Sequence, residues 1–188
     1  MTKQNQNFQP RNYKREKTAF VMCATDERVS FGQLEDRANQ GAQFLRRLGV
    51  QKRDHIAILL ENRREFIEIC FAAERCGIYY TTISTHFKQA EISHILADCT
   101  AKVLIVSEQF RSLCEMVDIP AMCQVFYVGP NTTEESWNQA ISLMPVAPIN
   151  DEAQGLDMLY SSGTTGRPKG IKWPLVEAPY GEKTMLID

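Results

Sequence analysis

No apolar run in the 188 residues exceeds strand length, with Ile56-Ala57-Ile58-Leu59-Leu60 typical of the longest. A helix that crosses a bilayer needs ~20 such residues, so a membrane span is excluded. The first residues, MTKQNQNFQPRNYKREK, are polar and basic and lack the apolar centre of a secretory signal. Residues 1–18 are therefore expected to be a disordered lead-in, and the protein to be cytoplasmic. The six cysteines form no C-x-x-C pair, and the three histidines, His55, His86 and His94, stand apart from them and from each other. That excludes a metal site and leaves most cysteines as small buried hydrophobes in a reducing compartment. Charge of one sign is also lacking: 21 Lys and Arg are interspersed with 23 Asp and Glu for a net charge of −2. Such a balance offers no field for nucleic acid or an anionic membrane.

What is present is an ordinary globular composition, 44% hydrophobic and 23% charged, arranged in alternating elements. Ser30-Phe31-Gly32-Gln33 has the form of a capping box. Phe31, Leu34, Ala38, Ala42, Leu45 and Leu48 follow at helical spacing, with Gly49 as the stop. "HIAILL" reads as a strand buried on both faces. Asn62 is positioned to cap a helix over 64–76, with Phe66, Ile67, Cys70, Phe71 and Ala73 inward and Gly77 as the stop. "IYYTTI", "KVLIV", "QVFYV" and "LDMLY" read as further strands. Between them fall helices over 88–98, 107–117 with Ser107 as cap, and 133–144. Strands separated by helices predict a layered αβα domain with a largely parallel sheet. Residues 144–155 read as a linker. After Trp173 periodicity fails, so residues 174–188 are expected to be an irregular tail that stops without a closing element.

The segment "YSSGTTGRPKG", residues 160–170, holds neither a helical nor a strand pattern. Its glycines allow close backbone approach, and successive N–H groups can form an anion-binding concavity. Ser161, Ser162, Thr164 and Thr165 add hydroxyls and Lys169 a mobile positive charge. Following a strand, the segment is expected at the carboxyl edge of the sheet, where α/β proteins bind ligands. A Gly/Ser/Thr connector is the plain alternative, and the flanking strand and Pro168-Lys169-Gly170 favour a phosphate loop. The Walker spacing is absent, because only two residues separate Gly163 from Gly166 and Gly170, not Ser or Thr, directly follows Lys169.

"MLYSSGTTGRPKG" resembles the phosphate-loop signature of the AMP-forming acyl-CoA synthetases, within the superfamily of adenylate-forming enzymes. "VSFGQLEDRANQGAQFLRRLGVQKRDHIAILLENRREF" and "AAERCGIYYTTISTHFKQAEISHILADCTAKVLI" resemble stretches that precede it in that family, so the likeness covers about residues 20–173. Thr82 and Lys52-Arg53-Asp54 depart from the family's usual proline and Pro-Gly-Asp turn. The resemblance implies a reaction in which a carboxylic acid, such as a fatty acid, attacks ATP to give an acyl-adenylate, from which coenzyme A displaces AMP. It implies ATP, magnesium and coenzyme A as the full enzyme's cofactors. Ser161, Ser162, Gly163, Thr164, Thr165, Gly166 and Lys169 would hold the β- and γ-phosphates, with Arg167 a solvated surface residue. The resemblance places the catalytic lysine, adenine pocket, magnesium glutamate and acyl pocket later in the family chain. These 188 residues are thus expected to be the N-terminal portion of a ligase, with residues 19–173 as its partial AMP-binding domain and no catalytic residue of its own. Two alternatives stay open: part of an amino-acid-activating adenylation domain, or a non-catalytic binding module. The identity of the acid and the oligomeric state also stay open.

Overall fold

The computed structural model describes residues 10–130, 135–161 and 167–181. It begins with a feature the sequence reading lacks, an antiparallel hairpin of β1 (Thr18–Met22) and β2 (Glu27–Ser30). Ser30 then opens α1 (Phe31–Arg47) through the expected capping box. The Ser30 hydroxyl accepts from the Gln33 N–H at 3.2 Å, and Gln33 Oε1 accepts from the Ser30 N–H at 2.8 Å. Phe31, Leu34, Ala38, Ala42 and Leu45 are buried as the spacing requires, and Gly49 and Gly77 close their helices at positive φ. Of the polar lead-in, residues 1–9 lie outside the described residues. Residues 10–17 fold against α1: Tyr13 stacks on Phe31 at 4.3 Å, and Arg11 forms a bidentate pair with Glu152.

The central sheet contains β3 (His55–Leu59), β4 (Tyr79–Thr82), β5 (Val103–Ser107), β6 (Gln124–Val128) and β7 (Leu156–Asp157). All its pairings are parallel, in the order β6-β5-β3-β4-β7. Strand order reverses at β3, so the crossovers on either side lie on opposite faces. One face packs under α1, α2 (Arg64–Arg75) and α5 (Trp137–Ser142), through Ile56, Ile58, Val103 and Ile105. The other packs under α3 (Gln89–Asp98) and the short α4 (Arg111–Cys114), through Ala57, Leu59, Leu104 and Val106. Residues that alternate along one strand thus enter two separate cores, which is why these strands read as unbroken apolar runs. The observed architecture is the predicted layered α/β one.

Several local readings change. The α2 cap falls on Arg63, not Asn62, with no side-chain cap bond, and Glu65 lies in the first turn where the helix dipole favours an anion. The α2 face against α1 is charged: Glu65, Glu68 and Arg75 are buried, whereas Phe66, Ile67, Cys70 and Phe71 are only half-buried. Burial is possible because each charge meets partners. Glu68 lies 2.9 Å from Arg64 and 3.4 Å from Arg37; Glu65 accepts from Arg63 and Asn138. Arg75, fully buried, bridges to Glu35 at 3.0 Å and bonds Asn39. Ser107 makes no side-chain cap; a single 3-10 turn, Glu108–Phe110, precedes α4, so the expected helix over 107–117 is broken. The expected helix over 133–144 is shorter, capped at Ser136, and its residues 133 and 134 lie outside the described residues.

The segment read as a linker is docked along α1. Asn39, Gln40 and Gln43 donate to the carbonyls of Val146, Met144 and Ala147, and Arg46 pairs with Asp151. Residues 174–181 hold neither helix nor strand, yet the Gln154 N–H donates to the Ala178 carbonyl at 3.0 Å. The Tyr180 ring receives the guanidinium groups of Arg11 and Arg75 at 5.2 and 5.1 Å. The cysteines are free, with Cys76, Cys99, Cys114 and Cys123 buried. No described helix is long and apolar enough to cross a membrane.

Replacing Arg75 by Ala strands Glu35 in the core without its main partner. Loss of one member of a buried pair commonly costs about 3–5 kcal/mol. Chemical denaturation of Arg75→Ala is expected to show a loss of that size, and a loss below about 1 kcal/mol would mean that water or Arg11 replaces the missing charge.

Candidate functional site

The segment read as one strand, residues 156–160, is two elements in two sheets. β7 pairs only with Tyr79 and Tyr80, the amino-terminal half of β4, and the Met158 N–H still donates to the Tyr80 carbonyl at 2.9 Å. The chain then leaves the parallel sheet. β8 (Leu159–Ser161) pairs antiparallel with β9 (Lys169–Ile171) to form a ribbon. The described residues that flank the glycine-rich segment, Ser161 and Lys169, therefore stand in an antiparallel ribbon beside α3. The reason is local: Met158 turns into the α3-side core and takes the chain with it.

Ser161 and Lys169 are register partners at the mouth of this ribbon, and both are exposed. Of the other expected phosphate-binding residues, Ser162, Gly163, Thr164, Thr165 and Gly166 lie outside the described residues. Arg167 is exposed, consistent with a solvated residue. Among the described residues no carboxylate lies within ion-pair distance of Lys169, although eleven other Lys and Arg residues are so paired: 11, 15, 28, 37, 46, 53, 63, 64, 75, 102 and 111. The mouth thus offers one hydroxyl and one uncompensated ammonium, a donor set suited to an oxyanion. No group of three or more His, Cys, Asp or Glu residues gathers among the described residues.

Three contacts tie the ribbon to the domain. The Tyr160 hydroxyl donates to the Asp98 carboxylate at 2.5 Å, at the end of α3. His94 Nε2 donates to the Pro168 carbonyl at 3.0 Å. Beyond β9, Lys172 Nζ donates to His55 Nε2 at 2.9 Å and lies 4.3 Å from the centre of the Tyr79 ring. His55 and Tyr79 are parallel-register partners, stacked 4.7 Å apart. Burial and the Lys172 charge, opposed by Asp54, push the His55 imidazole down to about 4. None of these anchoring residues was identified from the sequence, because they lie far apart in the chain and carry no motif. The outer side of the ribbon is different in character: Leu159, Ile171 and Trp173 are large and exposed, at 48, 47 and 59%.

A family model described as AMP-binding enzyme matches residues 8–174. The long-chain-fatty-acid–CoA ligase FadD13 of Mycobacterium tuberculosis is 30% identical over 156 residues, which cover 81% of this chain and 31% of that protein. Gramicidin S synthase 2 of Brevibacillus brevis is 29% identical over 160 residues, 83% of this chain and 3% of that protein. Among solved structures, the anthranilate CoA ligase AuaEII in complex with anthranoyl-AMP aligns with a TM-score of 0.73 at 31% identity, covering 84% of this chain and 31% of that chain. The inhibitor-bound N-terminal domain of FACL13 from Mycobacterium tuberculosis aligns with a TM-score of 0.72 at 29% identity, covering 82% of this chain and 39% of that one. The chain spans about a third of the length of the CoA ligases it matches.

The ribbon anchors generate a test that needs no ligand. Tyr160→Phe removes one hydrogen bond to a carboxylate that water can reach, a change of about 1 kcal/mol. Amide exchange at residues 159–161 is expected to accelerate while the core strands keep their protection. Unchanged exchange would show that the ribbon is held without Asp98.

Proposed function

The chain belongs to the AMP-binding enzyme family, and from that premise we propose that it is the N-terminal region of a cytoplasmic acyl-CoA ligase whose phosphate loop is carried by the β8–β9 ribbon. The observation that carries this reading is the mouth of the ribbon, where Ser161 stands opposite Lys169, which has no carboxylate partner among the described residues. The substrates are a carboxylic acid, ATP and coenzyme A. Bringing an anionic carboxylate to an anionic triphosphate requires positive charge near the phosphates, and preorganised donors there stabilise charge passing to pyrophosphate. In this chain the Lys169 ammonium neutralises phosphate oxygens and the Ser161 hydroxyl donates to them, with residues 162–166 completing the loop. Magnesium, when bound with ATP, would offset further phosphate charge.

The exposed side of the ribbon supports reading residues 19–173 as one part of a larger enzyme. Leu159, Ile171 and Trp173 form an apolar face of the kind another part of a protein covers. The adenine and acyl pockets and the catalytic lysine belong to the remainder. A second reading, part of an amino-acid-activating adenylation domain, draws on the 29% identity to gramicidin S synthase 2. The reading frame beyond Asp188 separates the two, since a carrier-protein segment downstream would favour the second.

Titration of the 188-residue chain with tripolyphosphate, ATP and GTP tests the loop. Phosphate contacts alone are expected to give a Kd near 1 mM for all three, about 4 kcal/mol, weakening as salt rises. Lys169→Ala is expected to abolish measurable binding with an unchanged melting curve, because the side chain is exposed. In the complete ligase the same variant is expected to lower pyrophosphate exchange by roughly 10²–10³. Binding that is indifferent to Lys169→Ala would overturn the assignment, and micromolar binding of ATP but not GTP would place an adenine pocket within these residues.

A further inference from the structure

We propose that His55 and Tyr79 are positioning residues for the phosphate loop, gripping Lys172 and the backbone after it so that Lys169 leaves the ribbon on the correct face. The proposal rests on the reading of residues 161–169 as that loop. Its starting point is the size of the ribbon. β8 and β9 hold three residues each, and a two-stranded ribbon of that length is marginal on its own. Register in such a ribbon is weakly specified, and a slip of one residue turns every side chain to the opposite face. Here that slip would swing Lys169 toward α3 and bring Gly170 outward.

Besides the Tyr160–Asp98 and His94–Pro168 bonds, the contacts that oppose a slip from beyond β9 converge on two residues. Lys172 Nζ reaches His55 Nε2 at 2.9 Å and stands over the Tyr79 ring. The Tyr79 hydroxyl donates to the Trp173 carbonyl at 2.8 Å and accepts from the Leu175 N–H at 3.1 Å. Residues 172, 173 and 175 are therefore fixed by the first residues of β3 and β4, at the rigid edge of the parallel sheet. Lys172 is an exposed residue, and ordering its side chain costs rotamer entropy that the contact offsets.

The chemistry of the grip fixes its pH dependence. An ammonium can only donate, so His55 Nε2 accepts and Nδ1 carries the ring proton; Nδ1 is buried and has no partner among the described residues. The groups facing the imidazole are Lys172 from the strap, Tyr79 from β4, and Asp54 from the turn before β3, itself paired with Lys102 at 2.6 Å. Protonation would set two cations against each other. His55 titrates near 6.5 when unfolded and near 4 when folded. The unfolded chain thus binds more protons in that window, and the grip is complete above about pH 6.5 and is lost progressively as pH falls toward 4.

The test is Lys172→Met, which keeps an unbranched stem but removes the charge, followed by NMR of the 188-residue chain. Three outcomes are expected together. Amides of residues 169–171 exchange about tenfold faster while β3 and β5 are unchanged. His55 titrates at a higher pH than in the parent, since its cationic neighbour is gone. The tripolyphosphate Kd, measured against the parent at pH 7.5, rises about tenfold. Lys172→Arg, which restores a cation at the same place, is expected to recover the affinity at least in part. Unchanged exchange, or faster exchange with unchanged tripolyphosphate affinity, overturns the proposal. Failure of the parent to bind tripolyphosphate removes the loop reading and the positioning role with it, while the exchange and titration results still decide whether the grip holds β9.

Discussion

The place of the ribbon depends on one close approach. Between α2 and β4 the backbone of residue 155 passes so near its neighbours that a Cβ there would lie 2.6 Å from the Ile78 carbonyl oxygen, 2.8 Å from that of Ala73 and 2.9 Å from Glu74 Cα. These are backbone atoms and cannot swing aside, so only glycine fits. The Gly155 N–H uses the proximity to donate to the Glu74 carbonyl at 2.6 Å, and the Leu156 N–H then donates to Ile78. With those bonds made, β7 must lie beside β4, Met158 must enter the core, and the chain must emerge at the end of α3. Everything at the mouth of the loop inherits its position from that passage.

From there the ribbon is held asymmetrically. Its inner side is fixed by directional contacts, Tyr160 to Asp98, His94 to Pro168 and Lys172 to His55. Its outer side offers the apolar Leu159, Ile171 and Trp173 to solvent beside Ser161 and Lys169. Hydrogen bonds specify register and angle, whereas apolar burial contributes energy without direction. A loop that must present phosphate donors at fixed positions needs the first kind of support within its own domain. The second kind can come from a surface that meets it later.

How far this was legible in the sequence follows the same division. The capping box at Ser30, the α1 stripe and the strands 55–59, 103–107 and 124–128 were readable because they rest on local periodicity, and the structure returns them nearly residue for residue. The α2 face was read in part, with Ala73 buried and Phe66 and Cys70 packed on the core, and its buried charges were missed for a physical reason. Periodicity counts charged residues as outward, yet Glu65, Glu68 and Arg75 are buried because, beside the local partners Arg63 and Arg64, they meet partners on α1 and α5 that are distant in sequence. The split at Met158 was hidden likewise. "LDMLY" is apolar apart from Asp157, and such a run does not say into which of two cores it turns. Ser161 and Lys169 were readable from composition, whereas His55, Tyr79 and Lys172 acquire a role only once three separate segments meet.

Charge distribution carries the last step. The net charge of −2 conceals a chain in which guanidinium groups are matched almost one by one with carboxylates. Such pairing holds the fields of α1, α2 and the docked segments near zero beyond a few ångströms. Against that background the cations that have no carboxylate partner among the described residues, Lys169 and Lys172 among them, matter more than their exposure suggests. Lys169 and Lys172 lie on the same short segment, and each lacks a carboxylate partner among the described residues. One is turned inward, onto a neutral imidazole and an aromatic face; the other stands at the ribbon mouth. A carboxylate in place of His55 would hold Lys172 more strongly, but its negative charge would also sit close to the segment that has to attract phosphate. A neutral acceptor holds the strand without cancelling that field.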